Sequence, residues 1–277
     1  MQLKFTKMQG IGNDYIYVNC FEQKIENVEE LAVRLSRRRF SIGADGIILI
    51  LPSDVADCRM EIYNADGSVA MMCGNGIRCV GKFVYDRGIA KKEVLRVDTR
   101  SGIKTLYLTV ENGEVASVRV NMGTPAFAPE EIPTTLPETL DVPLEANDTT
   151  YRVTCVSMGN PHCVQFVDDV DSLDLEKIGP ALEKHPAFPQ RANIEFVQLV
   201  SENEVKMRVW ERGSGETWAC GTGACAVAVA CALNKKTGRH VLVHLRGGDL
   251  FIDWDEATGA VEMTGPAEIA FDGVVNV

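Results

Sequence analysis

The sequence predicts an α/β protein of the α+β type, built from two duplicated, pseudo-symmetric domains, the second with a buried helix through its centre. Three observations carry this. The motif Cys-Gly-x-Gly occurs twice, as CGNGIRC from Cys73 and CGTGACA from Cys220, 147 residues apart. Other features keep that offset: Gly12 and Gly159, Asn13 and Asn160, Asn64 and Glu211, and the runs RMEIYN (59–64) and KMRVWE (206–211), with no gap. Such a repeat is the mark of a duplicated unit. Third, GACAVAVACALNKK (223–236) is rich in Ala and Val on every side until Asn234, the pattern of a helix enclosed by a core.

Most elements read as short strands. Alternating or apolar runs at 48–51, 59–63, 105–110, 115–120, 205–210, 240–245 and 250–254 supply them. Glu111-Asn112-Gly113-Glu114 and Gly247-Gly248 are hairpin turn signals. Helices are expected over roughly 27–39, near 174–184, and after each Cys-Gly-x-Gly. In the helix after Cys73, Ile77, Val80 and Val84 share one face and Gly88 can end it. The helix after Cys220 is expected to close at Gly238. Pro125, Pro129, Pro133, Pro137 and Pro143 punctuate a connector. The expected domains are therefore 1–122 and 123–265, the second opening with a Pro-rich connector over 123–148.

Composition excludes several classes. The 277 residues carry a formal net charge of −11, which argues against a nucleic-acid partner. No run approaches the ~18 apolar residues of a membrane helix, and no signal-peptide block opens the sequence. The expected location is the cytoplasm, where nine unevenly spaced cysteines are not a disulfide framework. No dinucleotide fingerprint, P-loop or His-Glu-x-x-His stands in the chain. Neither cysteine motif has the close pair that structural zinc wants. We therefore expect no metal and no cofactor.

The chemistry rests on the motif. Glycines let a ligand approach the backbone closely, and the N–H groups of a helix start favour an anion. The same positive end lowers a thiol pKa. Two such thiols suit cofactor-free inversion of a stereocentre: one thiolate removes the α-proton and the other thiol delivers a proton to the opposite face. A cleft between the two halves is the expected site. A thiol-redox or metal-binding protein is the rival from another class. Cys20, Cys58, Cys79, Cys155, Cys163, Cys225 and Cys231 read as small buried hydrophobes, and His185, His240 and His244 as structural.

GIGNDYIYV, NADGSVAMMCGNGIRC, MGNPHCV, RANIEFVQ and WERGSGETWACGTGACA span nearly the whole chain. Together they closely resemble the diaminopimelate epimerase family. The resemblance implies interconversion of LL- and meso-2,6-diaminoheptanedioate without pyridoxal phosphate, for lysine and peptidoglycan precursors. It implies two similar domains, each a mainly antiparallel strand barrel around a central helix, with the final strand (266–277) returning to the first. It also implies a homodimer. Cys73 and Cys220 match the catalytic acid/base pair. Gly74, Asn75, Gly221 and Thr222 match groups that hold the reacting carboxylate, and Asn64 and Glu211 match residues near the reacting ammonium. Asn13, Asn160, Asn193 and Arg212 match the set that reads the distal end. His162 and Glu211 match residues that tune the cysteines. Gly46 stands where some members have glutamine. Proline and hydroxyproline racemases are the nearest rivals in the same chemistry, but they typically carry histidine where Asn75 stands here.

Overall fold

The structure, a computed structural model, describes residues 2–277. The chain divides into two compact units, Met1–Val120 with Thr264–Val277, and Asn121–Met263.

The first unit contains β1 (Gln2–Gly10), β2 (Asn13–Asn19), α1 (Val28–Ser36), β3 (Gly46–Leu51), β4 (Cys58–Asn64), β5 (Val69–Ala70), α2 (Gly74–Asp86), β6 (Val94–Thr99), β7 (Gly102–Glu111) and β8 (Glu114–Asn121). The C-terminal strand Glu268–Asn276 pairs antiparallel with β1. From β1 the sheet runs antiparallel to β2, parallel to β3 and antiparallel to β4. It continues parallel to β6, then antiparallel through β7 to β8. The β7–β8 hairpin closes at Glu111 and Glu114, where Asn112 and Gly113 both take positive φ, as a turn of this type requires.

The α2 helix packs against β1, β2, β4, β7 and the C-terminal strand. It ends at Asp86, and Gly88 follows at φ 74°. The one-sided apolar stripe at Ile77, Val80 and Val84 understates its burial. Every residue from Gly74 to Val84 is buried. Arg78, fully enclosed, donates from Nε to Pro266 O at 3.1 Å and from Nη1 to Gly74 O at 3.2 Å. Lys82 donates to Val115 O at 2.8 Å and pairs with Asp86. A polar face of this kind enters a core because backbone carbonyls and a carboxylate satisfy it.

The second unit contains β9 (Val142–Ala146), β10 (Thr149–Ser157), β11 (Pro161–Phe166), α3 (Leu175–Glu183), β12 (Asn193–Ser201), β13 (Glu204–Glu211), β14 (Gly215–Thr217), α4 (Gly221–Leu233), β15 (His240–Leu245), β16 (Gly248–Trp254) and β17 (Val261–Gly265); the C-terminal strand is then β18. The pairing from β10 to β16 repeats the order and directions of β1 to β7: antiparallel to β11, parallel to β12, antiparallel to β13, parallel to β15, antiparallel to β16. Both long helices of one unit recur in the other at an offset of 147, α1 and α3 at 28–36 and 175–183, α2 and α4 at 74–86 and 221–233. The duplication therefore covers the whole unit. The Pro-rich segment is no loose tether, since Ile132, Val142 and Leu144 enter the core of this unit.

Apart from Thr222, the α4 helix is buried from Gly221 to Cys231. Its exit is capped by Asn234, not Gly238. The Asn234 amide donates to Ala230 O at 2.8 Å and to Thr154 Oγ1 at 2.9 Å. Gly238 lies beyond, in the lead-in to β15, and its N–H bonds to Glu202 O.

Candidate active site

Each cysteine of the repeated motif is the N-cap of its helix. Cys73 precedes α2 at φ −139° and ψ 116°, and Cys220 precedes α4 at φ −129° and ψ 105°. Each sulfur accepts the N–H of the second motif glycine, Gly76 at 3.3 Å and Gly223 at 3.4 Å. Sulfur here does the work an Asp or Ser oxygen usually does at this position. Neither helix has an acidic residue in its first turn, so the positive end of each faces no competing carboxylate of its own. The second glycine is required by close approach. A Cβ at Gly76 would stand 2.7 Å from Ile48 Cδ1, and one at Gly223 would stand 2.8 Å from Glu195 Oε1.

Around Cys73 the groups come from β2, β3 and the loop before β3. The thiol donates to Asn13 Oδ1 at 3.3 Å, and Asn13 Nδ2 donates to Asp45 Oδ2 at 2.7 Å. Asp45 also accepts Asp14 N–H and pairs with Arg38. Tyr15 lies beneath; burial first, then the charges of Cys73 and Asp45, push its phenol far above the usual range. Tyr15 also bears on Gly46. A side chain at Gly46 would meet Tyr63 O at 2.1 Å and Tyr15 Cε1 at 2.9 Å, so no larger residue fits this backbone. Asn64 Nδ2 donates to Ser68 Oγ at 3.0 Å. Asn75 is buried in the first turn of α2.

Around Cys220 the groups are more acidic. Thr222 Oγ1 lies 3.7 Å from the sulfur and accepts Asn160 Nδ2 at 3.3 Å. Asn160 Oδ1 lies 3.0 Å from His162 Nε2, and His162 Nδ1 lies 2.6 Å from Glu195 Oε1. His162 and Glu195 are both fully buried. Burial first raises the Glu211 carboxyl above its usual range, against hydrogen bonds from Thr217 and Cys220 that lower it. Burial, then the charges of Glu211 and Glu195, hold the Cys220 thiol well above its ordinary pKa, against donation from Thr222 and Gly223. Asn193 is committed to the backbone, donating to Pro161 O at 3.1 Å and accepting Arg212 N–H at 2.9 Å. The Arg212 side chain is exposed and donates to Gln190 O at 3.1 Å.

Sequence reasoning therefore names Asn13, Asn160, His162, Glu211 and Thr222 as residues that do gather at the two cysteines. It misses Asp45, Tyr15, Glu195 and Thr217. The repeat holds a signal for two of these: 15 + 147 gives His162, and 195 − 147 gives Ile48. Tyr15 and His162 stand at equivalent positions, as do Ile48 and Glu195, and the members of each pair differ in chemistry.

The model of the family "Diaminopimelate epimerase" matches residues 5–128 and 154–270. The diaminopimelate epimerase of Acetivibrio thermocellus is 54% identical over 277 residues, covering 99% of each chain. That of Methanococcus maripaludis is 53% identical over 99% of this chain and 100% of its own. Among solved structures, a phenazine biosynthesis protein of the PhzF family from Bacillus anthracis superposes with a TM-score of 0.74 at 18% identity, covering 100% of both chains. A hydroxyproline epimerase from Agrobacterium vitis gives 0.70 at 15% identity, over 99% of this chain and 91% of that one. These two share the duplicated fold. Sequence and fold together define an isomerase of the amino-acid epimerase class. The chain belongs to the diaminopimelate epimerase family.

Proposed function

We propose that the protein converts LL-2,6-diaminoheptanedioate to the meso form, without cofactor, for lysine and peptidoglycan-precursor synthesis. Cys73 and Cys220 act as the acid/base pair. One sulfur, as thiolate, takes the α-proton; the other, as thiol, returns a proton to the opposite face, and the roles reverse for the reverse reaction. The first-turn amides of α2 and α4, at Gly74, Asn75, Gly221 and Thr222, receive the reacting carboxylate and take up its growing enolate charge. Asn64 and Glu211 face the reacting ammonium. Asn13, Asn160, Asn193 and Arg212 read the distal end, Asn193 by presenting the Arg212 backbone. His162 and Glu211 tune the cysteines. A substrate with a carboxylate at each end calls for an arginine at the far one. We further propose a cytoplasmic homodimer.

The single observation that carries this reading is the pair of N-cap cysteines at equivalent positions of a duplicated unit. Incubation with LL-diaminopimelate and with L-proline in deuterated water tests it. Deuterium is expected in diaminopimelate, with reductant required and chelator without effect. Deuterium in proline alone would show the substrate assignment to be wrong.

A further inference from the structure

Three side chains join Glu195 to Cys220 in one line: Glu195 Oε1 to His162 Nδ1 at 2.6 Å, His162 Nε2 to the Asn160 amide at 3.0 Å, Asn160 to Thr222 Oγ1 at 3.3 Å, and Thr222 Oγ1 to Cys220 Sγ at 3.7 Å. Glu195 sits in β12 and His162 in β11, and both are enclosed. The second oxygen of Glu195, Oε2, is buried without a hydrogen bond. A carboxylate placed this way depends on the imidazole for its stability. Its counterpart in the first unit is Ile48 and that of His162 is Tyr15, so the duplication gives this line to Cys220 only.

Such a line can be polarised in two ways. With Nδ1–H given to Glu195 and a second proton on Nε2, the imidazolium donates to Asn160 Oδ1. Asn160 Nδ2 then donates to Thr222, whose hydroxyl is left to donate to Cys220 sulfur, which favours thiolate. With Nε2 bare, it must accept, so the Asn160 amide turns its NH2 to the ring. Its oxygen then takes the Thr222 hydroxyl proton, and Thr222 is left to accept from a Cys220 thiol. The two arrangements differ by one proton on His162 and one amide rotation. Asparagine is suited to the middle of the line because its two ends exchange donor and acceptor with almost no change of shape.

We propose that Glu195 is a positioning residue that sets the acid or base state of Cys220 through His162, Asn160 and Thr222. This rests on the reading of Cys220 as an acid/base group. With its carboxylate on His162 Nδ1, Glu195 favours the arrangement in which the line donates toward Cys220 and Thr222 gives its hydroxyl proton to the sulfur. Glu211 of β13 acts on the same imidazole and the same sulfur, and Cys163 of β11 with Cys155 of β10 lie on the Glu195 side. Glu195 and Glu211 are thus the charges that face the line.

The line and a simple through-space effect predict opposite signs. Removing the Glu195 charge, acting through space alone, would ease ionisation of Cys220. Acting through the line, it removes the acceptor that favours donation toward sulfur, Thr222 turns to accept, and ionisation becomes harder. The test is the pH titration of the Cys220 13Cβ resonance in selectively labelled protein without substrate, assigned with Cys220→Ser. Glu195→Gln should move the midpoint up by about one pH unit, a tenfold loss of thiolate. His162→Gln is the second variant should the first not fold, with the same upward shift expected. In a Thr222→Val background, Glu195→Gln should give no upward shift. A midpoint that falls or stays in Glu195→Gln, or an upward shift that persists in the Thr222→Val background, overturns the proposal. The measurement uses no substrate, so a failure of the diaminopimelate reading appears separately, in wild-type turnover.

Discussion

The Cys73 thiol donates to Asn13 Oδ1 at 3.3 Å, and Asn13 presents that oxygen because its NH2 is held by Asp45 at 2.7 Å. An amide has one donor end and one acceptor end. Asp45 accepts only, so it fixes which end faces sulfur. In this arrangement Cys73 carries its proton. Asp45→Asn frees the Asn13 amide to rotate and offer sulfur a donor. We expect kcat to fall about tenfold, the scale of one misdirected buried hydrogen bond, with KM little changed. Steady-state kinetics in both directions measure this, and an unaltered kcat would remove Asp45 from the account.

Gly46→Ala is expected to destabilise the protein by about 2–3 kcal/mol, because the new methyl overpacks a site with no slack. The built Cβ is 2.1 Å from Tyr63 O and 2.9 Å from Tyr15 Cε1. Carbonyl oxygen Tyr63 O belongs to β4 and cannot swing aside. Urea unfolding of the variant and the wild type checks the difference. A midpoint within error of wild type would show that β3 and β4 separate more easily than the contact implies.

His244 lies between Asp249, at 2.7 Å from Nδ1, and Glu204, at 2.7 Å from Nε2. Burial lowers its pKa, but hydrogen bonds and charge from the two carboxylates outweigh that, and the net shift is up from 6.5. The folded pKa exceeds the unfolded one, so the stabilisation is complete below 6.5 and fades as pH rises through the folded value. The stability gap between wild type and His244→Gln should therefore be widest at pH 5.5–6 and narrow toward pH 9. A gap that widens with pH would contradict the pairing.

Burial pushes the thiols of Cys58 and Cys231 up to about 12 and that of Cys79 to about 11. Only the thiolate is nucleophilic. Iodoacetamide at pH 8 should therefore modify Cys73, half-buried at a helix start, well before these three. Peptide mass spectrometry over a time course reads the order, and early labelling of Cys79 would be the contrary result.

Much of this was legible in the sequence, for definable reasons. Period-two runs such as RMEIY and VKMRVW lie in β4 and β13, because a strand that buries one face must alternate. The α4 helix declares its enclosure through Ala and Val, whereas α2 conceals the same enclosure behind Arg78 and Lys82. Hydropathy does not register charge that backbone carbonyls satisfy. Gly238 misled because the left-handed residue that ends α4 is not a glycine: Lys235 takes φ 55°, its N–H bonds to Ala232 O and the Lys236 N–H to Cys231 O, while Asn234 adds its side-chain bond to Ala230 O. The cysteines and asparagines stood out through the repeat. Asp45 and Glu195 did not, because each is defined by a partner brought near by strand pairing, and neither keeps its chemistry at the equivalent position. Position 192 is Ala for Asp45, and position 48 is Ile for Glu195.

The most direct test of the central claim is turnover of Cys73→Ser and Cys220→Ser, each assayed with LL- and with meso-diaminopimelate in deuterated water. Serine is a far weaker acid than cysteine, and loss of a positioned acid/base group removes about 10²–10⁴-fold in rate. Both variants are expected to lose epimerisation on that scale while remaining folded. Near-normal epimerisation by either one would contradict the two-cysteine mechanism.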